Sequence, residues 1–193
     1  MKKIAVFCGS SEGNDDEIIK IASNLGLEFA KRGITLVYGG ANLGIMKAVA
    51  NSVLSNKGKA IGVIPEFLTS REIAHPNLTE LIITKTMHER KVNIYDKSDG
   101  FIILPGGFGT LDEFFEITTW GQLGLHAKPI GILNINGFYD DLLSMSKKMV
   151  KNGFLKQANL DAVLIDSSFD ELYNKMKNFK PLPIPKWLNI DKI

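Results

Sequence analysis

Three glycine-rich segments of this chain have the composition of loops that bind phosphate. They are Cys8-Gly9-Ser10-Ser11, Gly39-Gly40-Ala41-Asn42-Leu43-Gly44 and Pro105-Gly106-Gly107-Phe108-Gly109-Thr110. Each follows a short apolar run and precedes a stretch with helical periodicity. Glycine lets the backbone approach a ligand closely, and the free N–H groups and dipole at a helix start favour an anion. One such loop is usually a plain turn, but their recurrence predicts a phosphorylated ligand.

These loops differ from the patterns of triphosphate and dinucleotide sites. The segment from Gly39 to Gly44 has Walker spacing, but Ile45 and Met46 stand where a lysine and a hydroxyl residue would bind phosphates and magnesium. In the third loop, Asp112 occupies the place of the last glycine of the dinucleotide fingerprint. The sequence therefore favours a mononucleotide or a sugar phosphate.

Glu113 is the carboxylate best placed for chemistry, because it follows the third glycine loop closely. We expect the helix start to keep it ionised, and an ionised carboxylate can stabilise an oxocarbenium-like centre or orient a water molecule. Residues 110–113 also match the Thr-x-x-Glu capping box, so capping and catalysis both remain open. Residues 86–89 and 168–171 have the same form and are interpreted as helix caps.

Arg90 and Lys91 lie in the first turns of a predicted helix, where the helix dipole disfavours positive charge. This placement beside a predicted ligand edge makes Arg90 a candidate phosphate ligand, since its guanidinium offers a planar fork of donors. Lys91 could assist it or be a solvent-exposed charge. Cys8 is interpreted as a small buried residue. The three histidines are scattered without metal-binding spacing, so we assign no metal.

Alternating strands and helices must position these residues. Seven short apolar runs predict strands, at residues 4–8, 34–38, 60–64, 81–84, 101–104, 130–133 and 162–165. Six amphipathic stretches predict helices, at residues 15–32, 43–55, 87–97, 111–123, 139–151 and 169–179. This alternation predicts an α/β fold, a doubly wound parallel sheet with helices on both faces. Ligands of such sheets bind at the carboxyl ends of the strands, where the glycine loops fall.

Composition excludes several classes of protein. The chain has 193 residues, a net charge of +2 and one cysteine, which argue against a nucleic-acid binder and a disulfide scaffold. No apolar run is long enough for a membrane span, and we expect a soluble, cytoplasmic protein. Residues 1–180 are predicted to form a single nucleotide-binding domain. The proline-rich tail, residues 181–193, is predicted to pack on its surface as an extended strap.

One predicted helix has a wider apolar surface than a single buried face requires. Its large apolar residues are Phe114, Phe115, Ile117, Trp120 and Leu123. Core packing is the ordinary explanation, and a helix–helix seam between two copies of the chain is the alternative.

Four segments together resemble the LONELY GUY family of cytokinin riboside 5′-monophosphate phosphoribohydrolases. Residues 105–113 look like its Pro-Gly-Gly-x-Gly-Thr-x-x-Glu signature, and residues 87–91 are similar to its Met-x-x-Arg-Lys motif. Residues 38–46 and 119–124 also match, and the likeness runs from Phe7 to about Leu133. It implies a Rossmann-like fold, a homodimer, and hydrolysis of the N-glycosidic bond of an adenosine 5′-monophosphate without a metal or organic cofactor.

The resemblance also assigns roles to individual residues. Arg90 and Glu113 become the catalytic pair. The residues that would bind the nucleotide are Ser10, Gly40, Met87, Lys91, Gly106, Gly107, Gly109 and Thr110. Many family members have been labelled lysine decarboxylases, but here no lysine follows a glycine loop with an evident partner for pyridoxal phosphate. The alternative hypothesis is a nucleotide-binding or carrier protein that uses the same loops without chemistry.

Overall fold

Seven parallel strands form one sheet in the computed structural model, which describes residues 1–69 and 73–183. The strands are β1 (Lys3–Phe7), β2 (Thr35–Tyr38), β3 (Ala60–Pro65), β4 (Glu80–Thr84), β5 (Gly100–Ile103), β6 (Ile130–Leu133) and β7 (Val163–Asp166). Their order across the sheet is β4-β3-β2-β1-β5-β6-β7. Because the order reverses at β1 and β5, a crevice for ligands is expected outside the carboxyl ends of those two strands.

Helices cover both faces of the sheet. They are α1 (Asp16–Lys31), α2 (Gly44–Ser55), α3 (Glu66–Thr69), α4 (Met87–Asp96), α5 (Phe108–Gln122), α6 (Asp140–Lys151), α7 (Gln157–Asp161) and α8 (Phe169–Lys177), with a short 3₁₀ turn at Ile135–Gly137. One core cluster packs α1, α2 and α8 on one face, and a second packs α4, α5 and α6 on the other. Alternate residues of β1 contribute to the two clusters, as a strand buried on both faces requires.

The predicted doubly wound α/β fold is confirmed, and each predicted strand ends within one residue of its observed bounds. Continuous apolar runs identify such strands well, because both of their faces are buried. The largest error among the predicted helices is at α5, which begins at Phe108 rather than at residue 111. Gly107 is its N-cap, so the glycine loop itself supplies the first turn. The short helices α3 and α7 were not predicted.

Two of the five large apolar residues of α5 lie in the core of this chain and so are not available for a seam between copies. Phe114 and Ile117 are only 5% and 3% exposed and belong to the core beneath the sheet. Trp120 is partly buried against Tyr95, with the two ring centroids 5.3 Å apart. Phe115 remains 42% exposed. Core packing therefore accounts for Phe114 and Ile117, and the exposed Phe115 leaves the seam hypothesis untested.

The chain beyond α8 can be followed to Pro183. Pro181 and Leu182 lie near the last turn of α5, where both border a small cavity. The rest of the predicted tail, residues 184–193, lies outside the described residues. Within the part of the chain that is described, no helix is both long enough and apolar enough to cross a membrane.

Candidate active site

A cavity of about 490 Å³ lies at the carboxyl ends of the strands, at the place where the sheet order reverses. The first turns of α4 and α5 form two of its walls. Eight of the ten predicted site residues line it: Ser10, Met87, Arg90, Lys91, Gly107, Gly109, Thr110 and Glu113. The sequence therefore identified the loops that enclose this cavity.

Arg90 and Glu113 form an ion pair inside this cavity. Arg90 Nη1 donates to Glu113 Oε1 at 2.7 Å, joining α4 to α5. Arg90 Nε donates to the carbonyl of Val63 within β3, at 3.2 Å. The side chains are only 12% and 10% exposed, so water screens the pair weakly. The guanidinium is thus fixed from two sides, and the carboxylate is oriented by it.

The environment of Glu113 alters its acidity. Burial raises the pKa of its carboxyl above the ordinary range for a glutamate, and the charge and hydrogen bond of Arg90 act against this rise without cancelling it. The positive charge of Lys91 also acts to lower this pKa. The prediction that a helix start alone keeps Glu113 ionised was therefore incomplete, because burial is the larger effect.

The capping interpretation of Glu113 is wrong. It lies in the second turn of α5, and its carboxylate accepts from Arg90 rather than from the start of its own helix. The cap predicted at residues 86–89 is confirmed. The Glu89 amide donates to Thr86 Oγ1 at 3.1 Å, and Glu89 Oε2 accepts from the Lys85 amide at 2.8 Å. Ser168 is an N-cap residue by position, but its side chain makes no capping bond.

The first turn of α5 presents open space to the cavity. A Cβ atom added at Gly107 or Gly109 would meet no heavy atom within 4 Å. The N-cap residue Gly107 has no side chain to occupy the free N–H groups of this turn. A helix start with exposed N–H groups suits an anion such as phosphate.

The two remaining glycines of the predicted site, Gly40 and Gly106, are not among the described residues that line the cavity. A Cβ atom at Gly106 would collide with the Thr110 side chain and lie 2.8 Å from the Gly9 nitrogen. Gly106 therefore allows the first and third glycine loops to touch. Gly40 has a φ of +75°, and its carbonyl accepts from the His75 amide at 2.8 Å. Contact of Gly40 and Gly106 with substrate stays a prediction.

Lys91 lines the cavity, but its ammonium group forms ion pairs with acidic residues of α5. Its Nζ lies 2.8 Å from Asp112 Oδ2 and 3.3 Å from Glu116 Oε2. Burial acts to lower the pKa of Lys91, but the hydrogen bond to Asp112 and the charges of Glu116 and Asp112 outweigh it and raise the pKa. Lys91 thus joins α4 to α5 by ion pairs. Its two partners, Asp112 and Glu116, lie before and after Glu113 in the sequence.

Two further titratable residues near the site, Cys8 and His75, are buried. Cys8 is buried, and burial raises the pKa of its thiol, which argues against a thiolate nucleophile. His75 is buried and bonds Asn51 Oδ1 at 2.9 Å. Over residues 1–69 and 73–183, no group of three or more His, Cys, Asp or Glu side chains is arranged to hold a metal ion.

Sequence reasoning missed the part that Gly39 plays at this site. Its position at the end of β2 was visible in the second loop, but the contact that it makes is not local. A Cβ atom there would lie 2.5 Å from Arg90 Nη2 and 3.3 Å from Met46 Sδ. The guanidinium rests on the bare backbone of Gly39, so this residue sets the position of Arg90.

Replacing Gly39 with alanine is expected to displace the guanidinium of Arg90 and weaken its bond to Glu113. A misplacement of about 1 Å at a reacting centre can lower a rate on the order of 10²-fold. We expect a loss of that order in kcat/KM for the reaction that is proposed below, with little change in the far-ultraviolet circular dichroism spectrum. Parental kinetics in this variant would show that the position of Arg90 does not matter for turnover.

The fold and the site together define a Rossmann-like α/β protein with a buried carboxylate–guanidinium pair beside an open helix start. The sequence model of a family described as "Possible lysine decarboxylase" matches residues 46–176. The chain is 42% identical over 180 residues to the cytokinin riboside 5′-monophosphate phosphoribohydrolase LOG1 of Arabidopsis thaliana, covering 93% of this chain and 84% of that protein. It therefore belongs to the LONELY GUY (LOG) family.

Other known proteins share the sequence or the fold of this chain. The probable cytokinin riboside 5′-monophosphate phosphoribohydrolase LOGL1 of Oryza sativa subsp. japonica is 42% identical over 177 residues, covering 92% of this chain and 79% of that protein. Among solved structures, the molybdenum cofactor binding protein of Rippkaea orientalis superposes with a TM-score of 0.68 at 26% identity, covering 91% and 95% of the two chains. The Moco carrier protein of Chlamydomonas reinhardtii gives a TM-score of 0.66 at 19% identity over 91% and 95%, which shows a shared fold.

Proposed function

We propose that this protein hydrolyses the N-glycosidic bond of AMP, or of AMP modified at N⁶, to the free base and ribose 5-phosphate. The observation that carries this proposal is the buried ion pair between Arg90 and Glu113, in a cavity whose wall includes the open start of α5. Relatives that are 42% identical to this chain over more than nine-tenths of its length are named phosphoribohydrolases, which supports the proposal. The pair supplies the charged groups of the reaction, and the helix start supplies the site for the phosphate.

The start of α5 orients the substrate through its 5′-phosphate. Free N–H groups near Gly107 and Gly109 donate to the phosphate, and the helix dipole favours its charge. Thr110 lies within this first turn and lines the cavity. Glu113 follows in the next turn of the same helix. One rigid element thus holds both the phosphate and the carboxylate, which places C1′ of the ribose near Glu113.

Glu113 acts at the carbon whose bond breaks. As the bond between C1′ and the base nitrogen lengthens, positive charge develops on C1′ and the ring oxygen, and the carboxylate stabilises it. Glu113 also orients the attacking water. The water oxygen forms a bond to C1′ as the bond between C1′ and the base nitrogen breaks. One proton of the water stays on the new hydroxyl group, and the other is transferred to the departing base. Arg90 holds the carboxylate in the cavity and adds positive charge next to the phosphate site.

The rate should depend on pH through Glu113. Only its ionised form stabilises the transition state, so kcat/KM is expected to fall on the acid side. Because the pKa of Glu113 is raised, this fall begins above the roughly 4.3 of an unperturbed glutamate. Lys91→Met removes a charge that lowers the pKa of Glu113, so the acid limb should move to higher pH.

A variant that shifts the pKa of Glu113 in the opposite direction provides the control for this measurement. The charge of Asp112 raises the pKa of Glu113, so Asp112→Asn should move the acid limb to lower pH. The profile of kcat/KM against pH, recorded for both variants and the parent, checks the pair of shifts. Identical acid limbs in all three proteins would contradict the role given to Glu113.

The decarboxylase description of the family fits this site poorly. A pyridoxal-dependent decarboxylase needs a lysine that can lose its proton and form a Schiff base. Among the described residues that line the cavity, the only lysine is Lys91. It is bonded to Asp112 and lies near Glu116, and its raised pKa keeps it protonated.

A carrier function is the second candidate, because a solved molybdenum cofactor binding protein shares this fold at 26% identity. Such a protein would need the phosphate-binding loops but no group at the reacting carbon. The buried position of Glu113, facing the same cavity as the phosphate site, supports the enzyme instead.

We further propose that the protein acts as a cytoplasmic homodimer. Exposed apolar side chains on the edge strand β4 and the adjoining helix α4 support the dimer, namely Leu81, Ile83 and Val92. These side chains would be covered by a second copy. A solution mass near twice 21.3 kDa by light scattering is the expected result, and a monomer at micromolar concentration would oppose it.

A substrate panel tests the proposed activity. Initial rates of base release are compared for AMP, isopentenyladenosine monophosphate, GMP, CMP and adenosine. We expect turnover of the adenine nucleotides and a much lower rate with adenosine, because adenosine lacks the group that binds the start of α5. Equal rates for AMP and adenosine would remove that helix start from the proposed mechanism.

A further inference from the structure

An apolar groove lies on the outer face of the protein between α5 and α6, away from the active-site cavity. It encloses about 230 Å³. Apolar residues from α5, α6, α7 and the loop between α6 and α7 line it. They include Phe115, Leu142, Leu143, Met149, Leu155 and Leu160. A cavity of roughly 150 Å³ already holds a benzene molecule, so this groove can accept a large aromatic side chain.

Helix α6 leaves this groove incomplete. The helix is strongly amphipathic, yet none of its residues is fully buried. Leu142 and Leu143 pack against the core only in part, and Met149 is half-buried. Amphipathic helices of globular proteins normally bury their apolar face, so a further element is required to cover this one.

The last described residues of the chain lead to the groove. Pro181 and Leu182 line a small cavity at the end of α5. This small cavity shares four lining residues with the groove: Thr118, Gln122, Asn159 and Val163. The two spaces therefore adjoin, and the described residues end beside the space that opens towards the groove.

Residues 184–193 have the length and composition to fill the groove. Their sequence is Ile-Pro-Lys-Trp-Leu-Asn-Ile-Asp-Lys-Ile, which places Trp187, Leu188 and Ile190 within seven residues of Pro183. Four residues of extended chain span roughly 13 Å, enough for Trp187 to reach from Pro183 into an adjoining space. Pro183 and Pro185 favour this extended form.

We propose that residues 184–193 dock in the groove between α5 and α6, with Trp187 as the anchoring side chain. Thr118 provides independent support, because it lines both spaces and its Oγ1 is buried without a hydrogen-bond partner among the described residues. The indole N–H of tryptophan is a donor that needs an acceptor when buried. Trp187 would supply the partner of Thr118 and cover the apolar face of α6.

Tryptophan fluorescence tests this docking directly, since the chain has two tryptophans, Trp120 and Trp187. Trp120→Phe leaves Trp187 as the sole emitter. We expect its emission to be blue-shifted from that of a free peptide of residues 184–193, with a several-fold lower acrylamide quenching constant. In that background, Met149→Lys within the groove should return both values towards those of the peptide. Met145→Lys, on the same helix but outside the groove, should not.

A second measurement serves if Trp120→Phe disturbs the fold, because it leaves Trp120 unchanged. The chain truncated after Pro183 is titrated with the fluorescein-labelled peptide, and saturable binding that Met149→Lys weakens is expected. Emission and quenching equal to those of the free peptide, or no peptide binding, would overturn the proposal. Burial of Trp187 that disappears on dilution together with a fall in solution mass would also overturn it, by assigning the groove to a second copy of the chain.

Discussion

Glu113→Gln is expected to lower the rate of base release from AMP by about 10²- to 10³-fold, because removing one preorganised group that stabilises transition-state charge has an effect of that size. Glutamine has nearly the same shape as glutamate and can still accept a hydrogen bond from Arg90. Nucleotide affinity and fold should therefore change little. Single-turnover chromatography of the products measures the rate, and equilibrium binding of AMP measures the affinity.

Glu116→Gln is the matched control for that variant. Glu116 is also on α5, but it contacts Lys91 rather than Arg90 and does not line the cavity. It should retain most of the parental rate. Parental turnover in Glu113→Gln would remove the carboxylate from the mechanism, and equal losses in both variants would indicate a general disturbance of α5.

Arg90→Ala is the second change with a large expected effect, and it should weaken both binding and turnover. The guanidinium provides positive charge in the cavity and holds Glu113 through a bond of 2.7 Å. Its loss leaves a buried carboxylate without its partner, which raises the pKa of Glu113 further and lowers the ionised fraction. We expect kcat/KM to fall on the order of 10²- to 10³-fold. Steady-state kinetics with AMP should show a higher KM and a lower kcat together.

Arg90→Lys separates charge from geometry at this position. Lysine keeps the positive charge but cannot bond Val63 and Glu113 through a planar fork. An activity between those of the parent and Arg90→Ala is expected. Unchanged kinetics in Arg90→Ala would exclude Arg90 from the site.

The strands and the site loops could be predicted because both depend on local patterns. A strand buried on both faces is apolar at nearly every position, and β6 shows this at all four of its residues. The glycine loops fall directly after such strands, so the place of the cavity followed from the general position of ligands in parallel sheets.

The partners of the site residues could not be predicted in the same way. Glu113 fits a local capping pattern, but its actual partner, Arg90, lies 23 positions earlier, and the two meet only because the fold brings the first turns of α4 and α5 to the same cavity. The contact of Arg90 with Gly39 is likewise long-range, and no spacing in the sequence announces it. The hydrogen bond from the His75 amide to the carbonyl of Gly40 also joins residues far apart in the sequence, and no local pattern indicates it.

The most direct test of the proposed activity is the fate of AMP incubated with the purified protein. We predict free adenine and ribose 5-phosphate in equal amounts, accumulating over many turnovers in the parent and nearly absent with Glu113→Gln. AMP that is bound and recovered intact from the parent would contradict hydrolysis and favour a carrier of nucleotides.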